Sequence, residues 1–204
     1  MTRVIVYSAA LVAFIAATAM TFASIFIPDW ITYTTTTAPS TPSSPSHTFT
    51  KVIGLHRSCE SEHGCAHFPT VEDCSGTDRY FCSMWRSVGF LMSFAAVLEL
   101  VTLVAYLVVI NGGKQKREAG WKVLSFLLVL VGVVQCASMA IVAYLFDNDD
   151  RFFVGWQLDK SFILVTVSWS IAILSAGFIS LSAFVFPEEG DYELIPPSEN
   201  EMYR

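Results

Sequence analysis

Long apolar runs separated by short polar connections set the pattern of this 204-residue chain. Residues 4–27, 88–110, 123–146 and 162–186 form four such runs. Each meets the roughly 20 apolar residues that a helix needs to cross a hydrocarbon core of about 30 Å. Backbone in lipid must satisfy its own hydrogen bonds, so each run is expected as a transmembrane helix. The predicted fold is therefore an all-α membrane protein, a left-handed bundle of four transmembrane helices. A cleaved signal peptide is the rival reading of residues 4–27, because Arg3 precedes the run and small residues such as Ala19 and Ala23 lie within it. The run exceeds the roughly 7–15 apolar residues of a signal sequence, which favours a retained span.

The connections give a direction. Residues 111–122 hold Lys114, Lys116, Arg117 and Lys122 against the single acid Glu118. Residues 147–161 hold Asp147, Asp149, Asp150 and Asp159 against Arg151 and Lys160. The positive-inside rule places the basic connection in the cytoplasm and the acidic one outside. Residues 28–87 are then extracellular, and residues 1–3 and 187–204 are cytoplasmic. Trp30, Trp85, Trp121 and Trp156 fall near the span ends, where an aromatic belt is expected.

Composition narrows the function. The chain is 53% hydrophobic and only 15% charged, against roughly 25% charged in a soluble domain. Its net charge of −6 offers no basic footprint for nucleic acid. No nucleophile with a neighbouring base and no phosphate-binding glycine loop occurs, so neither an enzyme nor a cofactor is expected. Membrane lipids and other membrane proteins are the expected partners.

Four of the five cysteines, Cys59, Cys65, Cys74 and Cys82, lie in the first outer connection. An even number on the oxidising side predicts two disulfides, for which three connectivities are open. They define a cross-linked unit at residues 51–86. A zinc site is the competing reading, since His63, Cys65 and His67 would share one face of a strand, with His56 nearby. The oxidising compartment favours disulfides, and no metal is expected. Residues 34–50 are nearly all Thr, Ser and Pro, which reads as a disordered, stalk-like insert. No Asn-x-Ser/Thr sequon occurs.

Pro28-Asp29-Trp30 follows the first run, Gly54-Leu55 precedes Cys59, and Arg86 stands at the outer end of the second run. With the four-span topology, this motif resembles the claudin superfamily of tetraspan proteins. His56 stands where that family has Trp, and two of the cysteines have no counterpart in it. The resemblance implies a small extracellular antiparallel β-sheet in the first loop, with Trp30 and Leu55 packed against it. It also implies a pairing of Cys59 with Cys74 and Cys65 with Cys82, a plasma-membrane location, and structural or organising work through lateral assembly. The Ser/Thr/Pro insert is closer to the family's fungal members, which face a cell wall.

Inside the spans the notable residue is Glu99. An ionisable group at membrane depth is costly and is a functional candidate by default. Glu99 lies twelve residues before Asn111, and Gln135 lies thirteen after Lys122. At about 1.5 Å per residue they share a depth on antiparallel helices, and a hydrogen-bonded clamp is expected. Small residues recur every fourth position: Ala9, Ala13, Ala17 and Thr21 in the first span, Gly132, Cys136 and Ala140 in the third, Ser168, Ala172, Ala176 and Ser180 in the fourth. Such stripes permit close helix packing, with homo- or hetero-oligomer contact as the other use. Asp147 to Asp150 resembles a calcium loop but lacks its glycine and final glutamate. In the acidic tail, Tyr192-Glu193-Leu194-Ile195 has the form of a sorting signal that a trafficking adaptor would read. The leading expectation is a structural or organising membrane protein. The alternative is a channel, or an auxiliary subunit of a transport complex.

Overall fold

A computed structural model describes residues 3–37, 47–75 and 79–185. Four helices dominate: α1 (Arg3–Phe26), α2 (Arg79–Asn111), α3 (Gly113–Asn148) and α4 (Lys160–Val185). All four contain stretches long and apolar enough to cross a membrane. They pack cyclically, α1 on α2, α2 on α3, α3 on α4 and α4 on α1. The outer surface is apolar, and a few polar side chains are enclosed in an interior that is itself mostly apolar. Large apolar side chains such as Phe90, Val104, Phe126 and Leu174 face outward, while Thr21, Glu99, Gln135 and Ser168 are buried. In water this arrangement would be unstable, whereas against hydrocarbon it costs nothing. These helices are those of a multi-pass membrane protein.

The helices outrun the apolar segments. The expected break at residues 111–122 shrinks to Gly112, because α3 begins at Gly113. Lys, Gln, Arg, Glu and Ala all favour helix, so the polar segment continues the helix although it would not enter lipid. Likewise α2 starts at Arg79, nine residues before the apolar run, and its first turns bury Phe81, Cys82 and Trp85.

At one end of the bundle stands a five-stranded antiparallel sheet. Its strands are β1 (Ile31–Thr37), β2 (His47–Ile53), β3 (Arg57–Glu60), β4 (Gly64–His67) and β5 (Trp156–Leu158). Their order is β4-β3-β2-β1-β5. Two expectations need correction. The sheet does not belong to the first connection alone, since β5 comes from the α3–α4 connection and pairs with β1 through Ile31↔Leu158 and Tyr33↔Trp156. The Ser/Thr/Pro-rich segment is not disordered throughout, since its flanks are β1 and β2, paired from Ile31↔Ile53 to Thr37↔His47. Threonine is β-branched and suits a pleated strand, which outweighs its polarity. Residues 38–46 lie outside the described residues.

Two apolar cores fill the bundle. One, at the sheet end, joins Trp30, Ile31, Ile53 and Leu55 to Trp85, Val88, Met92, Met139 and Val165. The other, toward the opposite end, includes Tyr7, Phe14, Tyr106, Leu124, Leu128 and Ile179. Trp30 and Trp85 are fully buried in the first core rather than ringing an interface as expected. The sheet roofs the bundle there and covers both indoles.

Candidate functional site

On every helix one polar residue falls between the two apolar cores: Thr21 on α1, Glu99 on α2, Gln135 on α3 and Ser168 on α4. All four are fully buried and meet at one point. Thr21 Oγ1 donates to Glu99 Oε1 at 2.8 Å. The Gln135 amide donates to Glu99 Oε1 at 2.9 Å and to Thr21 Oγ1 at 2.8 Å. Ser168 Oγ donates to Thr21 Oγ1 at 2.8 Å, with the Ala17 carbonyl at 3.0 Å as its alternative acceptor. Each hydroxyl carries one proton, and this scheme uses each once. Around it, Ser138 donates to the Gln135 carbonyl at 2.7 Å.

Glu99 and Gln135 therefore do meet, as antiparallel depth-counting predicts. The counting found only two of the four partners. Thr21 and Ser168 appeared in the sequence as members of small-residue stripes, and their hydroxyls gave no separate signal. Glu99 Oε2 and Gln135 Oε1 are buried without hydrogen-bond partners among the described residues. No cation among the described residues joins the cluster, so its cohesion comes from neutral donors around one carboxyl group. The stripes themselves are only partly internal. Ala17, Ala172 and Ala176 are buried, and a Cβ on Gly132 would lie 2.6 Å from Ile173 Cδ1. Cys136, expected as an internal packing residue, faces outward.

The sheet is the second feature. Trp30 Nε1 donates to the Ser24 carbonyl at 2.7 Å, tying the end of α1 to the start of β1. Gly54 is required by close approach, since a Cβ there would stand 2.5 Å from Pro28 Cα. Leu55 is buried beneath the sheet, and His56 is exposed. Arg86 is exposed, with Nη2 3.8 Å from Cys74 Sγ.

The disulfides are Cys59–Cys65 and Cys74–Cys82, not the Cys59–Cys74 and Cys65–Cys82 pairs that the family resemblance implied. The reason is register. Cys59 and Cys65 are directly opposed across the β3–β4 hairpin, with Cα atoms 4.0 Å apart. Gly64 makes that hairpin possible by adopting φ +78°. Cys74 ends a 3-10 turn, Glu72–Cys74, that packs on the first turn of α2 beside Cys82. Cys65 is thus consumed in a disulfide, which removes the thiolate that a zinc site with His63 and His67 would need. No group of three His, Cys, Asp or Glu side chains among the described residues could hold a metal ion.

The two connections at the sheet end are welded together. Thr32 Oγ1 donates to Asp159 Oδ2 at 2.6 Å. The Ser161 amide donates to the Asp29 carbonyl at 2.9 Å. Arg151 reaches Asp73, with Nη1 3.4 Å from Oδ1, and lies over the Phe81 ring at 4.5 Å. Asp149 accepts from the Arg151 amide at 3.1 Å, so this acidic turn serves as a local cap. Cross-strand register puts Trp156, Tyr33, Lys51 and Glu60 in one row. Trp156, Lys51 and Glu60 of this row line a groove of about 720 Å³ together with Phe152 and Phe153. Beside it Val154 is 98% exposed. Tyr192 and Ile195 lie outside the described residues.

The class that fold and sites define is a four-helix membrane bundle with a disulfide-braced sheet at one end. No family model matches this chain, and none of the curated proteins is significantly similar to it.

Proposed function

We propose that this chain is a claudin-like structural or organising protein of the plasma membrane, acting through lateral assembly and through contacts on its sheet face. The observation that carries the reading is the joining of both connections into one platform. β5 extends the first connection's sheet, and Arg151, Asp159 and Ser161 fasten the second connection to it. A platform so braced presents Phe153 and Val154 in a fixed place, and exposed apolar side chains in a fixed place favour a partner surface. The basic segment at residues 111–122 supports an orientation with the sheet outside and both termini in the cytoplasm.

The transport reading has less support. Apolar cores lie on either side of Glu99 along the bundle, which favours a clamp over a conducting path. Reconstitution into phosphatidylcholine vesicles tests both readings. The organising reading expects vesicles to adhere through outward-facing sheets, with adhesion lowered by the double change Phe153→Ser and Val154→Asp. It expects Glu99→Gln to leave adhesion unchanged. An ion flux present in the native protein and absent in Glu99→Gln would establish transport instead.

A further inference from the structure

At the sheet end of α2 lies an open groove of about 660 Å³, within the roughly 300–1,000 Å³ of small-molecule sites. Its lining changes character along the helix. Ser83, Arg86 and Ser87 form a polar end, and Phe90 and Leu91 form an apolar end. Residues three or four apart share one helix face, and along this face the chain turns apolar beyond Ser87. The Cys74–Cys82 disulfide bounds the polar end. Phe90 and Phe94, both exposed, stack at 6.3 Å with their rings 2° from parallel, which carries the apolar wall one turn deeper.

The polar end holds a positive charge without a counter-charge. Arg86 is exposed, and its one hydrogen bond among the described residues runs from Nη2 to Cys74 Sγ at 3.8 Å. Sulfur is a weak acceptor, so the guanidinium fork is nearly unused. No carboxylate among the described residues pairs with Arg86, and none lines the groove. Depth gives the charge a meaning. Arg86 lies twenty-four residues from Ile110, the far end of the apolar run, or roughly 36 Å along the helix. A hydrocarbon core is about 30 Å thick, and its headgroup layers bring the bilayer to about 40–45 Å. Arg86 therefore stands in the headgroup layer, with Phe90 and Phe94 in hydrocarbon below it.

We propose that this groove binds a phospholipid of the leaflet on the sheet side, with its phosphate on Arg86 and Ser83 and an acyl chain along Phe90 and Phe94. A planar guanidinium matches two phosphate oxygens at once, and the Ser83 hydroxyl adds a donor on the same face. The occupant follows from the order of the lining. A free anion would fill the polar end and leave the stacked rings uncovered. An apolar helix of another chain would cover the rings and leave Arg86 without an anion. A phospholipid carries an anion at headgroup depth and hydrocarbon directly beneath it. The sheet marks the leaflet, so the inference rests on membrane embedding alone and holds for either direction of insertion.

The test uses full-length protein in non-ionic micelles, with lipid binding read by native mass spectrometry. The probes are phosphatidylcholine and monogalactosyl diacylglycerol with the same tails, which has no phosphate. Phosphatidylcholine is expected to bind about tenfold more tightly than the galactolipid. Arg86→Gln should remove that preference, lowering phosphatidylcholine binding about tenfold and leaving the galactolipid unchanged. Arg86→Lys should keep part of it, and inorganic phosphate should not displace the lipid. Helix content and both disulfides of each variant are checked first, so that misfolding is not mistaken for lost affinity. Equal binding of the two lipids, or unchanged phosphatidylcholine binding in Arg86→Gln, overturns the site. Displacement by inorganic phosphate alone, or a second polypeptide retained in place of lipid, overturns the phospholipid as its occupant. Native protein released from vesicles by alkaline extraction would instead overturn the embedding.

Discussion

Glu99 shows how much a single buried polar residue can demand. One carboxyl group at mid-bundle recruits Thr21 and Gln135 directly and Ser168 through Thr21. Interhelical hydrogen bonds in membranes are worth about 0.6 kcal/mol on average and rarely exceed about 2 kcal/mol. Glu99→Leu and Gln135→Leu are each expected to destabilise the bundle by about 1–2 kcal/mol, since each takes from the other one hydrogen-bond partner and leaves it only Thr21. The double variant should cost about 1 kcal/mol less than the sum, because the bond they share is then lost only once. Unfolding in mixed micelles measures all three, and strict additivity would show that the two side chains act independently. Gly54 makes the opposite demand, for absence of bulk. Gly54→Ala would push a methyl against Pro28 and is expected to cost about 1–3 kcal/mol. Thermal denaturation reads this, and an unchanged midpoint would contradict the close approach.

At the scale of elements, the sheet end is assembled from parts that no local rule connects. The β3–β4 hairpin is closed by Cys59–Cys65, and the 3-10 turn is bound to α2 by Cys74–Cys82. A non-reducing peptide map should recover exactly these two links. Any fragment joining Cys59 to Cys74 would reject the observed pairing. Arg151 ties the turn to the second connection through a half-exposed ion pair and a cation–π contact, together worth about 1 kcal/mol. Arg151→Ala is expected to raise hydrogen exchange at residues 71–75 and 149–153. Exchange around Met92 and Met139 in the core should not change. Uniform exchange across all these segments would mean that the clamp is not local.

For the whole molecule, orientation is the claim most open to direct measurement. A cysteine at Lys116, in a chain carrying Cys136→Ser, should react with an impermeant thiol reagent only from the cytoplasmic side. A cysteine at Val154 should react only from outside. Labelling of Lys116→Cys from outside would invert the proposed topology, and the platform would then face the cytoplasm.

The four spans were legible in the chain because hydrophobicity at membrane depth is a property of each segment alone. The shared depth of Glu99 and Gln135 was legible for a related reason, since helical rise converts residue number into distance. Trp30, Gly54 and Leu55 could be singled out from the sequence, but not the Pro28 contact that requires a glycine at position 54. Strand pairing was hidden, because register joins residues far apart in the chain. Thus β5 went unseen, the flanks of the Ser/Thr/Pro segment were read as disordered, and the cysteines were paired wrongly. Helix rotation was hidden as well. Periodicity names a stripe of small residues without saying whether it faces a neighbouring helix or the outside, so Cys136 was placed inward and Thr21 and Ser168 were not joined to Glu99. Segment hydrophobicity determined what enters the membrane, and only tertiary packing decided which polar side chains meet there.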